Sequence, residues 1–195
     1  MAIIIGSVYK CVQIGTQIWT ERNLDVSTYR NGDLIPEVTD TTEWANLTTG
    51  AWCWWDNNEA SGSVYGKMYN WYAVNDTRGL APAGYHVPTD TEWTTLTDYL
   101  GGLSVAGGKM KEVGTEHWES PNLYATNSSG FTGYGGGFRE YDGYFSQLQI
   151  TGVWWTSTQY DSSFAWYNYL YHTYNEVQRD NYYKTRGLSV RLVKG

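Results

Sequence analysis

Between Val153 and Val193 two kinds of side chain alternate, and no other stretch restricts the fold as tightly. One kind suits a scaffold: Trp154, Trp155, Ala165, Trp166, Leu170, Val177, Gly187, Val190 and Leu192. The other is crowded with Tyr, Asn, Asp, Ser and His, and seven of the chain's 18 tyrosines lie from Tyr160 to Tyr183. Alternation with period two marks a β-strand, whose successive side chains point to opposite faces. Over Ala165 to Tyr171 it puts Trp166, Asn168 and Leu170 on one face and Tyr167, Tyr169 and Tyr171 on the other. A Trp/Leu face can enter a core. Three stacked tyrosines have less reason to be buried, because each hydroxyl needs a partner. Displayed outward, they make a recognition surface of the kind antibody loops use. The alternative is a sheet with aromatics on both faces, covered by loops.

At 195 residues the chain fits one domain with a sizeable core. Thirteen Lys and Arg against 20 Asp and Glu give a net charge of −7, which speaks against a nucleic-acid partner and against anionic membrane surfaces. No run approaches the roughly 18 apolar residues of a membrane span. The opening MAIIIGSVYK has an apolar patch but no basic flank, so it does not read as a signal peptide. Eleven Trp and 22 Gly suit short strands and loops around an irregular aromatic core. Cys11 and Cys53 fit either two buried thiols or one disulfide.

Residues 1–6 read as a terminal arm. Val8 to Ile14, Gly15-Thr16 and Gln17 to Asn23 form a hairpin pattern. Thr39 to Ala45 suits a helical turn, and Tyr65 to Val74 a strand or short helix. Thr89-Asp90-Thr91-Glu92 matches a capping box, followed by Trp93, Leu96 and Leu100 at helical spacing and a Gly101-Gly102 stop. A second short helix fits Val105 to Val113. Gly130 to Tyr144 is glycine-rich with interleaved aromatics, which implies close backbone approach or bulged strands. Strands are then expected at Phe145–Ile150, Trp154–Thr158, Ala165–Tyr171, Val177–Tyr182 and Leu188–Val193. A hairpin, two short helices and C-terminal antiparallel strands with long loops define an α+β class.

Four separated motifs, VYKCVQIGTQIWTERNL, YGKMYNWYAV, GYHVPTDTEWTTL and GLSVRLV, resemble the Fibrobacter succinogenes major paralogous domain from about Ser7 onward. The resemblance implies one C-type-lectin-like domain over 1–195, related to formylglycine-generating enzymes. Ser189-Val190-Arg191 stands where those enzymes carry Gly-aromatic-Arg. The same fold serves variable proteins of diversity-generating retroelements, which randomise adenines at Asn-type codons. Ser162, Ser163, Phe164, Tyr167, Asn168, Tyr169, Tyr171, His172, Tyr174, Asn175, Asp180, Asn181, Tyr182 and Tyr183 all fall among the residues reachable from such codons. Trp166, Glu176, Gln178 and Lys184 are not reachable. The reachable set, within a variable region at 153–193, is the expected ligand-binding surface, with Tyr167, Tyr169, Tyr171 and Tyr182 as its anchors.

No catalytic constellation stands out. The enzymes of the related group use a late cysteine pair, and both cysteines here are early. His86, His117 and His172 are scattered, so no zinc site is evident. Asp56, Asn57, Asn58 and Glu59 offer hard oxygen ligands in one loop, but a solvated acidic loop is the commoner meaning. Glu140 and Asp142 form a carboxylate pair of the kind glycosidases use. The expectation is a non-enzymatic receptor-binding or adhesin module needing no cofactor or metal. Its partner would be a surface protein or glycan, and its place extracellular, on a phage tail or bacterial surface. A carbohydrate-active or formylglycine-type relative and an oligomer-assembly domain are the alternatives, and the oligomeric state is left open.

Overall fold

The computed structural model describes residues 9–195; the arm at 1–6 and Val8 lie outside them. Along the chain come strands β1 (Cys11–Ile14) and β2 (Gln17–Thr20), helix α1 (Thr41–Ala45), β3 (Trp52–Cys53), α2 (Glu59–Tyr65), β4 (Met68–Tyr69), α3 (Trp71–Val74), β5 (Tyr85–His86), α4 (Asp90–Tyr99) and α5 (Leu103–Met110). They are followed by β6 (Phe138–Arg139), β7 (Phe145–Ser146), β8 (Thr151–Gln159), β9 (Phe164–Tyr171), β10 (Val177–Tyr183) and β11 (Val193–Lys194). The class is α+β, with helices interspersed among small antiparallel sheets ordered β1-β2-β11-β5, β10-β9-β8, β3-β4 and β6-β7.

Local chemistry explains most boundaries. The Thr89 hydroxyl accepts from the Glu92 main-chain N–H at 3.2 Å, and the Glu92 carboxylate accepts from Thr89 N–H at 2.8 Å. This reciprocal box starts α4, which buries Trp93 and Leu96. Asp40 caps α1, so the expected turn begins at Thr41 rather than Thr39. Tyr65 to Val74 holds the end of α2, then β4, then α3. Gly66, at φ +74°, ends the first helix and the Asn70 side chain caps the second.

Two expected strands are shorter than their sequences imply. Phe145–Ile150 pairs only over Phe145–Ser146, because Gln147 and Gln149 take positive φ and turn the chain. Leu188–Val193 is a ladder only at its end. Upstream, Leu188 and Ser189 make single bridges to Tyr69 and Trp154. Arg191 anchors this segment. Its fully buried guanidinium donates to the carbonyls of Thr20, Phe131 and Thr132 and to Asn23 Oδ1. Burial pulls its pKa down to about 9.

The β8–β9–β10 sheet separates the two larger aromatic cores. On one side Val153, Trp155, Ala165 and Tyr167 pack with Tyr69 and Trp71. On the other, Trp154, Leu170 and Val177 pack with Trp19, Trp93 and Met110. Buried indoles find main-chain acceptors: Trp71 donates to Thr156 O and Trp155 to Tyr69 O, each at 2.9 Å. Cys11 and Cys53 are buried in different clusters.

Candidate functional site

The register of the three long strands sets the site. Tyr167, Tyr169 and Tyr171 of β9 lie opposite Trp155, Val153 and Thr151 of β8. Across β10, Tyr167 and Tyr169 face Asp180 and Gln178. The tyrosines share one face, and the hairpin β6–β7 supplies the facing wall of a cavity of about 370 Å³. Tyr167 is its floor, 6% exposed, with its ring stacked on Tyr169 at 5.8 Å between centroids. Burial pushes the Tyr167 hydroxyl up to about 12, with Arg186 opposing. Tyr171 and Tyr174 follow, their rings 4.8 Å apart.

The facing wall carries Phe138, Glu140, Ser146 and Gln147, with Arg186 buried beside them. Arg186 makes a two-pronged pair with Glu140, at 2.9 and 3.2 Å, and its guanidinium lies 4.0 Å from both the Phe138 and the Tyr182 ring centroids. Glu140 is therefore tied to a guanidinium, and Asp142 accepts the Tyr144 N–H, so the carboxylate pair noted in the sequence is engaged in structure. Nothing local in the sequence marks Arg186, because its partner lies 46 residues away. Glycine-rich Gly130 to Tyr144 is the one hint. Gly137, at φ +62°, lets this segment pass where a Cβ would stand 2.7 Å from Ser146 O.

The expected binding residues divide. Tyr167, Tyr169, Tyr171 and Tyr174 converge on the cavity. Phe164, Tyr182 and Tyr183 form a separate aromatic group with Tyr141 at the other end of the β9–β10 hairpin, with Phe164 and Tyr183 at 4.7 Å. Ser162 and Ser163 are exposed in the β8–β9 loop, His172 and Asn175 are half-buried in the β9–β10 turn, and Asp180 and Asn181 lie on β10. Asn168 is a correction. It is 1% exposed, on the face away from the tyrosines, opposite Trp154 of β8. Tyr167 corrects the picture of a wholly displayed ladder, since it belongs to the core as well as to the cavity floor. Exchanging it for Ala must therefore cost stability.

Both loops of this hairpin system are held by buried ammonium groups acting on main-chain carbonyls. Lys111, 0% exposed, donates to the carbonyls of Leu123 (2.6 Å), Tyr174 (2.9 Å), Tyr171 and His172 (both 3.1 Å). Lys184 donates to those of Asp161 and Ser162, at 2.8 and 2.9 Å, beneath the Trp71 ring. Burial pulls the Lys111 ammonium down to about 8, with Glu176 opposing, and also lowers that of Lys184. Gly107 of α5 completes the seat of the turn: a Cβ there would stand 2.3 Å from Glu176 O.

The remaining polar groups have local tasks. His86 bonds Glu92 at 2.7 Å, and His172 Nδ1 lies 3.2 Å from Glu119 O. In the loop at Asp56–Glu59, Asn58 caps α2 and the Asn57 amide donates to Thr39 O. The fold does gather Glu112, Glu116 and His117, which sequence spacing did not reveal. Their ligand atoms lie within 4.8 Å, and His117 Nδ1 is already bonded to Glu112.

These features define an α+β module with a tyrosine-walled cavity whose loops hang from internal lysines. The chain belongs to the family of the Fibrobacter succinogenes major domain, which it matches over residues 12–194. Comparison with curated proteins and with solved structures gave no match. Among the described residues no helix is long and apolar enough to cross a membrane.

Proposed function

We propose that the chain is a non-enzymatic ligand-binding module of the receptor-binding or adhesin kind. In this proposal it has a C-type-lectin-like fold, and a retroelement diversifies residues 153–193. The partner is a surface protein or glycan met outside the cell, at a phage tail or bacterial surface. The observation that carries this reading is the way the two loops are held. Lys111 and Lys184 grip carbonyl oxygens, which every residue type offers. The side chains at Ser162, Ser163, His172 and Tyr174 can then change while the loop paths stay fixed. Lys184 is among the residues that adenine changes at Asn codons do not reach, as a constant anchor requires. Tyr174, at 47% exposure, and the partly exposed Tyr169 and Tyr171 present rings of the type that dominate recognition surfaces.

Two experiments test this. Labelled protein is incubated with intact bacterial cells, beside a Tyr169→Ala, Tyr171→Ala, Tyr174→Ala variant. Loss of cell binding with folding retained is expected; equal binding by both proteins refutes the surface. Sequencing around the gene should find a near-copy of the 153–193 coding segment and a reverse transcriptase. Their absence refutes the diversification.

A further inference from the structure

The cavity beside the tyrosine ladder gathers hydrogen-bonding groups that have no protein partner. The side chains of Ser146, Gln147, Tyr169, Tyr171 and Tyr174 take no hydrogen bond among the described residues, and all five line it. Thr151, 5% exposed, lines it too, and its hydroxyl is buried without a partner. Buried polar groups are nearly always satisfied, so an orphan hydroxyl within a cavity wall calls for an explanation. Gln147, at φ +66°, turns the chain after β7 and so places its side chain in the cavity lining.

The charges nearby cancel. Arg186 and Glu140 are turned on each other with both prongs, so neither a free guanidinium nor a free carboxylate awaits a ligand. This disfavours phosphate, carboxylate and metal cations. What is left unspent is a set of hydroxyls and one amide, able to donate and accept, beside phenol faces. A neutral ligand with many hydroxyls and one apolar face matches that set. The volume, about 370 Å³, lies at the small end of the range for small-molecule sites, roughly 300–1,000 Å³.

We propose that the cavity holds a neutral pyranose ring of a glycan. The ring stacks on Tyr169 or Tyr171 and its hydroxyls bond Gln147, Ser146 and Thr151, whose side chain turns its buried hydroxyl toward the ligand. This rests on the binding role proposed above and narrows it to a ligand class. Thr151, Gln147 and Ser146 precede the tyrosine-rich segment, so they make a constant half-site, Thr151 beside Tyr171 and the other two across the cavity, next to a changeable one.

The test uses the full chain and titrates glucose, galactose, mannose, N-acetylglucosamine and their disaccharides, by ligand-observed NMR and calorimetry. At least one should bind at about 1 mM or tighter. Thr151→Val is the decisive variant. Its hydroxyl bonds nothing in the protein, so the melting temperature should hold or rise, while saccharide affinity falls about tenfold. Gln147→Ala should weaken the same saccharide. Saccharide binding that Thr151→Val leaves unchanged overturns the site. So does the absence of binding by the whole panel. If the tyrosine variant loses cell binding while no saccharide binds or competes, the ligand class is wrong and the surface reading stands. If saccharide binds and the tyrosine variant still holds cells, the surface reading fails instead.

Discussion

Replacing Lys111 by Met tests how the turn below the tyrosine wall is held. Methionine matches the length of the apolar stem and removes the ammonium. Four carbonyl oxygens lose a donor. Those of Tyr171 and His172 keep a main-chain donor, from Tyr174 N–H at 3.1 Å and Leu123 N–H at 2.8 Å. Those of Leu123 and Tyr174 depend on the ammonium. Two acceptors stripped of a donor cost about 1–3 kcal/mol each, and part returns because no charge need be desolvated. The expected net loss is about 2–4 kcal/mol, a drop in melting temperature of roughly 5–15 °C for a domain of this size. Proton linkage adds a signature. With a folded pKa near 8, below the unfolded value, the unfolded chain binds the proton more tightly. This group's contribution to stability is therefore least below pH 8 and rises as pH climbs toward the unfolded value. From pH 7 to 9 the gain is on the order of 1 kcal/mol, and the variant lacks it. Thermal melts of both proteins at pH 7 and 9 should show the gap widening. A variant melting within about 2 °C of the parent, with no pH-dependent gap, refutes the clamp.

Other outcomes follow from the same geometry. The Ser162→Ala, Ser163→Ala variant should melt within about 0.5 kcal/mol of the parent, since neither side chain makes a hydrogen bond and both are exposed. Tyr167→Ala should cost about 3–5 kcal/mol by denaturant titration, as truncation of a buried ring does, whereas Tyr174→Ala should cost little. Gly107→Ala forces α5 and the chain at Glu176 apart and should destabilise by about 1–3 kcal/mol, measured by thermal melting. Burial pushes the Cys53 thiol up to about 12 and Cys11 is buried as well. Neither should react with a thiol reagent at pH 8 until the protein unfolds, and rapid labelling of the native chain would contradict that packing.

How much of this the sequence disclosed depends on the range of the interaction involved. The capping box at Thr89 and Glu92 is complete within four residues, so the start of α4 was legible. Strands β8 to β10 were legible within a few residues, because alternation is a local pattern. Period two also paired Tyr167, Tyr169 and Tyr171 on one face. It could not say that β6–β7 would close over that face, or that Tyr167 would sink into the core. Alternation puts Asn168 on the face of Leu170 but is silent on its burial, because that face packs on residues far back in the chain, such as Trp93 and Met110. The Arg186–Glu140 pair, the Lys111 cage and the Glu112–Glu116–His117 group are invisible for the same reason. Each forms only when distant segments meet. The alternating run at Leu188–Val193 misled in the opposite sense, since its backbone bonds go to several neighbours in turn and not to one ladder.

The order β1-β2-β11-β5 has a mechanical outcome. Val12 and Val193 both lie opposite Trp19, on either side of β2, so their backbones are two strand spacings apart, roughly 10 Å. Because β1 and β11 both run antiparallel to β2, they point the same way, and pulling the two ends of the domain apart would load that small sheet along its strands, in shear. The same closeness would let the whole unit be grafted into a surface turn of a larger host with short joints on each side.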